Sequence, residues 1–281
     1  MRPGYVTNGL QNHRLDDALR LIADHGFRVV GLTPDVGHLD PERATAREID
    51  AIARLLHALG LEVVLETGAR FLLDPRQKHE PSLMSVDRDA RERRIAFYAR
   101  AAAIGRDLGA QVLSFWAGVD RHPGADSFAR LVEGVERTVA VVADAGLTAA
   151  FEPEPGMAVA TVAEFDALLA ALPAGSRPAL TLDVGHLFVT GEPDPAAVCR
   201  ARAGTCRQVH LEDIRGRVHE HLEPGEGDVD FAAMLDALAD GGYAGPVCFE
   251  LSRSSHRAPE AVARCAAVFE AWAATRRSVP G

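Results

Sequence analysis

Short apolar runs alternate about eight times with longer stretches of helical period along this chain. The apolar runs cover residues 4–7, 28–33, 62–66, 111–116, 148–152, 179–183, 207–211 and 247–251, each bounded by turn-forming residues, and they predict strands. Amphipathic stretches at 15–25, 46–59, 89–108, 128–145, 162–172, 195–203, 231–239 and 259–274 predict helices. Gly26, Gly60, Gly109 and Gly146 each stand between a helical stretch and the next strand, where a left-handed residue would end the helix. Thr161 and Glu164 have the spacing of a capping box.

Strands that alternate with helices imply a parallel sheet. Eight such units in 281 residues fit a closed α/β architecture, a (β/α)8 TIM barrel, better than an open doubly wound sheet. No Gly-x-Gly-x-x-Gly follows a strand, which removes the main signal for a dinucleotide site. With no linker or low-complexity segment, residues 1–281 read as a single barrel domain. The longest non-periodic stretch, 67–88, follows the third strand, carries Arg70, Lys78 and His79, and has the length of a lid.

Four predicted strands end in a residue that can bind a hard or borderline cation: Glu152, Asp183, His210 and Glu250. Side chains two apart share a strand face, so Glu152 points with Ala150, Asp183 with Thr181, His210 with Gln208 and Glu250 with Cys248. The opposite parity carries Phe151, Leu182, Val209 and Phe249, which suit the helix-facing side. All four polar residues therefore point into the barrel at its C-terminal end, where barrels carry their chemistry. Three carboxylates and one imidazole suit one divalent metal ion, Mn²⁺, Mg²⁺, Co²⁺, Fe²⁺ or Zn²⁺, and not a soft thiolate-bound metal. A cation would also relieve the repulsion of three converging carboxylates. Any one of these residues alone is better read as capped or ion-paired; four in register are not.

Other residues at or past strand ends are Asn8, Asp35, His38, Glu66, Trp116, His122, Glu154, Arg253 and His256. Trp116 could stack on a sugar face or pack in the core, and Glu66 could touch substrate. Glu154 shares parity with Glu152 and rivals it, but Pro153 and Pro155 favour a strand that ends near Glu152.

Composition narrows the partners. Apolar residues make up 47%, enough for a large core. The net charge of −10 and the lack of a basic run argue against nucleic acid, and the Arg91–Arg94 stretch reads as a solvated helix face. Cys199, Cys206, Cys248 and Cys265 lack metal or redox spacing and read as reduced core residues. No apolar stretch approaches the ~20 residues of a membrane span, and the first residues lack a signal-peptide pattern. The expectation is a cytoplasmic protein acting on a small polyhydroxylated molecule, with homo-oligomerisation left open.

The second half of the chain resembles the xylose isomerase-like barrel superfamily of sugar phosphate isomerases and epimerases, which includes tagatose/psicose epimerases, hydroxypyruvate isomerase and inosose dehydratase. The resemblance rests on Glu152, Asp183-Val184-Gly185-His186, Val209-His210-Leu211-Glu212-Asp213, Gly225-Glu226-Gly227-Asp228-Val229-Asp230-Phe231 and Glu250. It implies that Glu152, Asp183, His210 and Glu250 bind one metal, that Glu152 and Glu250 move protons, and that His186 touches substrate. An Arg after the seventh strand often holds substrate oxygens in the family, which makes Arg215 and Arg217 candidates. The family commonly has Lys where this chain has Glu212, a departure that bears on the substrate.

The chain is also similar to the metal-dependent apurinic endonucleases, which share the barrel and bind three zinc ions. Their Asp-x-His before a Gly-x-Gly is matched here by His219-Glu220-His221 before Gly225-Glu226-Gly227. That similarity makes His186, His219 and His221 candidates for a second metal site, with pocket lining or substrate contact as the plainer alternative. Against the endonucleases, Glu66 and Trp116 stand where those enzymes place further histidines. The leading reading is a metal-dependent isomerase, epimerase or dehydratase of a keto sugar, keto-cyclitol or related hydroxy-carbonyl compound, working through an enediolate. The alternatives are a multinuclear-metal hydrolase of phosphate esters and a non-catalytic metabolite-binding barrel.

Overall fold

The computed structural model describes residues 1–277. Along the chain run β1 (Arg2–Val6), α1 (Leu15–Asp24), β2 (Val29–Leu32), α2 (Ala46–Leu59), β3 (Glu62–Glu66), α3 (Arg88–Asp107), β4 (Val112–Phe115), α4 (Ser127–Asp144) and β5 (Thr148–Phe151). Then come α5 (Val162–Ala171), β6 (Ala179–Asp183), α6 (Val184–Thr190), α7 (Pro195–Arg202), β7 (Cys206–Leu211), β8 (Asp213–Arg215), β9 (Val218–Leu222), α8 (Phe231–Asp240), β10 (Pro246–Phe249) and α9 (Ala258–Arg277). Eight strands close into a parallel barrel in the order β1-β10-β7-β6-β5-β4-β3-β2. Its strands agree with the apolar runs to within a few residues. No helix of the described residues is long and apolar enough to cross a membrane.

The helix ends follow local chemistry. Thr45 with Glu48, and Thr161 with Glu164, form reciprocal capping boxes at the starts of α2 and α5. Gly26, Gly60, Gly109 and Gly146 sit at φ between 66° and 83°, the left-handed turn that a side chain would resist.

Alternation sorts the strands into two layers. The outward set, including Leu65, Phe115, Phe151, Leu182, Val209 and Phe249, is buried under the helices. There Phe151 meets Phe115 edge-on at 5.3 Å and stacks on Phe165 of α5 at 5.7 Å. Truncating such a ring to alanine typically costs about 3–5 kcal/mol. The inward set begins with an apolar plug of Val6, Val29, Val64, Val112, Ala150 and Cys248. Gly4 admits the Cys248 thiol, because a Cβ there would come within 2.5 Å of its sulfur. Above the plug the interior turns polar: Ser114 and Thr181 share a hydrogen bond of 2.9 Å, and Gln208 is wholly buried beside them. The plug thus sets a floor on which polar groups can stand at the C-terminal mouth.

The structure departs from the sequence reading in three places. A seven-residue helix, α6, starts directly at Asp183, whose side chain caps the His186 amide at 3.0 Å. Such a helix is too short to show a period. An antiparallel hairpin, β8–β9, grows out of the end of β7. Arg94 is not solvated: it is fully buried, 4.8 Å over the ring of Tyr98 and 4.5 Å over that of Trp116. The aromatic faces accept a planar cation that a charge count assigns to solvent.

Candidate metal centre

The ends of β3, β5, β6, β7 and β10 converge on one imidazole. His210, wholly buried, points Nδ1 at Glu152 Oε1 (2.9 Å), Glu250 Oε2 (3.1 Å) and Asp183 Oδ2 (3.8 Å). Its other nitrogen, Nε2, meets Glu66 Oε1 at 2.8 Å, and the buried Gln208 amide donates to the same Glu66 carboxylate. Glu66 and Gln208 thereby fix the ring orientation from behind, the arrangement that orients metal-ligating histidines. Asn8 Nδ2 donates to Glu250 Oε1 at 2.6 Å. One candidate oxygen from each of Glu152, Asp183 and Glu250 lies within 4.8 Å of the others and of a His210 nitrogen.

The charge state follows from this crowding. Burial pushes the Glu152 carboxyl up to about 8 against the pull of His210. Burial likewise raises Asp183 and Glu66. Burial opposes charge on His210 as well, but Glu66, Glu152 and Glu250 overcome it and hold the ring well above its ordinary value. Burial pushes the Glu250 carboxyl up, but His210, His221 and the Asn8 amide together outweigh it and hold it below the usual carboxylate range. Asp183 Oδ2 is buried without a hydrogen-bond partner among the described residues. An orphaned buried oxygen, three carboxylates and an imidazole nitrogen on one point make a donor set that a hard or borderline divalent ion would satisfy.

A second group abuts the first. His186 Nδ1 pairs with the Pro153 carbonyl at 2.9 Å, which leaves Nε2 facing His219 Nε2 at 3.2 Å. Glu154 Oε2 stands 3.6 Å from the same His186 nitrogen. His219 and His221 are two apart on β9 and share its face, and His221 Nδ1 abuts the buried Glu212 carboxylate. Burial holds His186 and His221 down at about 4, so both are neutral near pH 7. Glu212 fills the space beside Gly185, where a Cβ would come within 2.5 Å of the carboxylate. Asp213 shapes the loop beyond: its carboxylate accepts the amides of Gly225, Gly227 and Val229 at 2.8 to 3.0 Å. The Gly-Glu-Gly segment thus anchors the hairpin that presents the histidines.

Among the remaining candidates, Glu66, Trp116, Glu154 and Arg253 line the same cavity of about 310 Å³ as Glu152, Glu250, His219 and His221. Arg215 and Arg217 do not. Arg217 donates to the carbonyls of Val189 (3.2 Å) and Thr190 (2.6 Å), and Arg215 donates to that of Glu226. The hairpin turns both guanidinium groups onto backbone oxygens, and the arginines that line the mouth are Arg253, beyond β10, and Arg70, beyond β3. Asp35 and His38 pair with each other in a small bridge outside the cavity lining. Stretch 67–88 contributes Thr67, Gly68, Arg70, Lys78 and His79 to the wall. Sequence reasoning missed the role of Gln208 and Asn8 as partners of the cluster; the inward parity of Gln208 with His210 on β7 was the available signal, whereas Asn8 sits in a short 3-10 turn past β1, where strand parity gives none.

Comparison with known proteins agrees with this architecture. Residues 19–271 match the family described as xylose isomerase-like TIM barrel. An inosose dehydratase from Lacticaseibacillus casei is 26% identical over 154 residues, 49% of this chain and 51% of that protein. The chain thus spans about half the length of the curated relative it matches. Among solved structures, an L-ribulose 3-epimerase superposes with a TM-score of 0.76 at 21% identity, covering 98% of this chain and 95% of that one. A protein called IolI, solved with a bound zinc atom, gives 0.79 at 17% identity over 99% and 100%. At these identities the structural likeness speaks for the fold.

Proposed function

The chain belongs to the xylose isomerase-like TIM barrel family, and from that premise we propose that it is a divalent-metal enzyme that isomerises, epimerises or dehydrates a keto sugar, keto-cyclitol or related hydroxy-carbonyl compound. One observation carries the reading: three carboxylates from three strands face a single His210 nitrogen while Glu66 grips the other. Relatives and structural neighbours named for a dehydratase and an epimerase accord with it. Glu152, Asp183, His210 and Glu250 would hold the ion. The ion would supply Lewis acidity to a carbonyl oxygen and its neighbouring hydroxyl, stabilising the negative charge that forms there.

The chain's own groups move the protons. Glu152 or Glu250 takes the proton from the carbon beside the carbonyl, and the electron pair passes to the carbonyl oxygen. The other carboxyl returns a proton at the neighbouring carbon or on the opposite face, or protonates a departing hydroxide. Asn8 steadies Glu250 from the side away from His210. Trp116 offers a ring wall to the apolar face of a sugar. The test is elemental analysis followed by incubation of ketoses and keto-cyclitols with Mn²⁺ in D₂O. Deuterium incorporated at the carbon beside the carbonyl, and lost in Glu152→Gln and Glu250→Gln, supports the reading. Near-normal exchange in both variants would sink it.

A second reading follows from the 3.2 Å approach of His186 Nε2 to His219 Nε2, with Glu154 and Glu212 beside them. Those groups could hold a further ion, as a phosphate-ester hydrolase with several metals would need. Counting ions separates the two: one per chain favours the isomerase class, and a second that disappears in His219→Ala favours the hydrolase.

A further inference from the structure

Arginine and lysine number 30 in this chain, and only one of them, Lys78, is a lysine. It stands at the cavity that holds Glu152 and Glu250, together with Arg70 and Arg253. None of these three cations has a carboxylate within 4 Å among the described residues, although the chain carries ten more acids than bases. The two acids nearest in sequence, Asp74 between Arg70 and Lys78 and Glu80 just past Lys78, are engaged elsewhere. Asp74 accepts the amides of Arg76 and Gln77, and Glu80 pairs with Arg121 at 2.9 Å.

The backbone places Arg70 and Lys78 side by side. The His79 amide donates to the Arg70 carbonyl at 2.6 Å, and His79 Nδ1 bonds the Gly68 carbonyl at 2.8 Å, so the loop is tied at its neck where both cations emerge. Ala69 and His79, next to them, take left-handed φ values of 47° and 68°, which L-residues seldom adopt. Behind the wall, buried Arg94 donates to the Thr67 carbonyl at 3.1 Å and lies over Trp116, adding a fourth positive charge with no carboxylate partner among the described residues. Burial, with Lys78, Arg94 and Arg70 nearby, holds His79 at about 4, so no proton on that ring supplements the cations near pH 7.

Arg253, beyond β10, donates to the His219 carbonyl at 3.1 Å and faces the same cavity. Like charges gathered around one cavity without a carboxylate in contact repel one another, and an oxyanion would relieve them. We infer that Arg70, Lys78 and Arg253 form an oxyanion subsite, and that the substrate is an acidic hydroxy-carbonyl compound bearing a carboxylate or phosphate at the end away from the reacting carbons. This deepens the proposed function and rests on it for the reacting end only.

The test is calorimetric titration of the full-length, metal-loaded protein with D-fructose, D-fructose 6-phosphate and 5-keto-D-gluconate, which share a ketose frame and differ in end charge. At least one acidic compound is expected to bind about tenfold or more tighter than D-fructose. The phosphate and carboxylate arms identify the oxyanion. The margin should collapse in the Arg70→Gln/Lys78→Gln double variant. It should also shrink from about 0.01 M to about 1 M salt, as the screening length falls from about 30 Å to about 3 Å. Equal binding of all three, or a preference that the double variant keeps, overturns the proposal. Should no ketose bind, inorganic phosphate is the probe, and failure of phosphate to raise the wild-type melting temperature above its effect on the double variant overturns it as well. Elemental analysis of the same samples separates the two claims. Wild-type protein that takes up no metal yet prefers the acidic compounds refutes the metal reading and supports the subsite.

Discussion

The two halves of the barrel are built alike and end differently. In both, strands of four to six residues feed helices that bury the outward side chains. The second half, β5 to β7 with β10, ends in Glu152, Asp183, His210 and Glu250, all drawn to one point. The first half ends in Asn8, Thr33, Glu66 and Trp116, and its long loop brings Arg70 and Lys78. The scaffold is the same; what differs is the set of residues at or just past the C-terminal end of each strand. A barrel therefore carries unlike chemistry on opposite walls without altering its core, because core and site occupy different layers of the same strands. Glu66 is the exception, a first-half residue that reaches across to His210.

This contrast can be broken by substitution. The largest effect is expected for Glu152→Gln and Glu250→Gln: turnover of whatever ketone the protein converts should fall about 10²–10⁴-fold with the fold intact by circular dichroism. Comparable losses from Thr33→Val would erase the difference between the walls. Next comes Glu66→Gln, which removes the carboxylate behind His210. Metal affinity, measured by competition with a chelating dye, should drop about 10–100-fold. An unchanged affinity would return Glu66 to the first half's passive lining.

Metal removal should lower the melting temperature by about 5–10 °C, the equivalent of an ion held at about a hundred times its dissociation constant. Asp183→Asn should shrink that drop, since one crowded charge is gone. A curve unmoved by verified removal would mean that the carboxylates share no ion.

A smaller effect concerns pH. Glu152 is pushed up to about 8 and His210 is held well above its ordinary value, so the metal-free folded state keeps protons that the unfolded chain has shed. Its stability should therefore fall as pH rises from about 6.5 to about 8. Metal binding strengthens over the same range, because the ligands must lose those protons. The melting-temperature gap between loaded and chelated protein should widen across that window, and a narrowing gap would contradict the assignment. Least of all, Arg215→Ala and Arg217→Ala should leave turnover unchanged and cost about 0.5 kcal/mol or less, measured by denaturant melts. A loss of turnover would bring the hairpin arginines back to the site.

Much of this was legible in the sequence because it depends on local chemistry and period. Alternation separated Phe151, Leu182, Val209 and Phe249 from Glu152, Asp183, His210 and Glu250, and one-residue parity on a strand is enough to aim a side chain in or out of a barrel. Gly26, Gly60, Gly109 and Gly146 marked helix ends through backbone freedom alone. What only the tertiary structure decided lies in contacts between distant segments. Arg94 is buried because Tyr98 and Trp116 close over it, a pairing no charge pattern records. Arg215 and Arg217 turn away because the hairpin pairs Arg215 with Val218 and swings both side chains onto backbone carbonyls. Glu66 meets His210 across 144 residues of sequence. Strand period fixes the direction of a side chain, but barrel closure fixes its neighbour, and the electrostatics of the site belong to the neighbours.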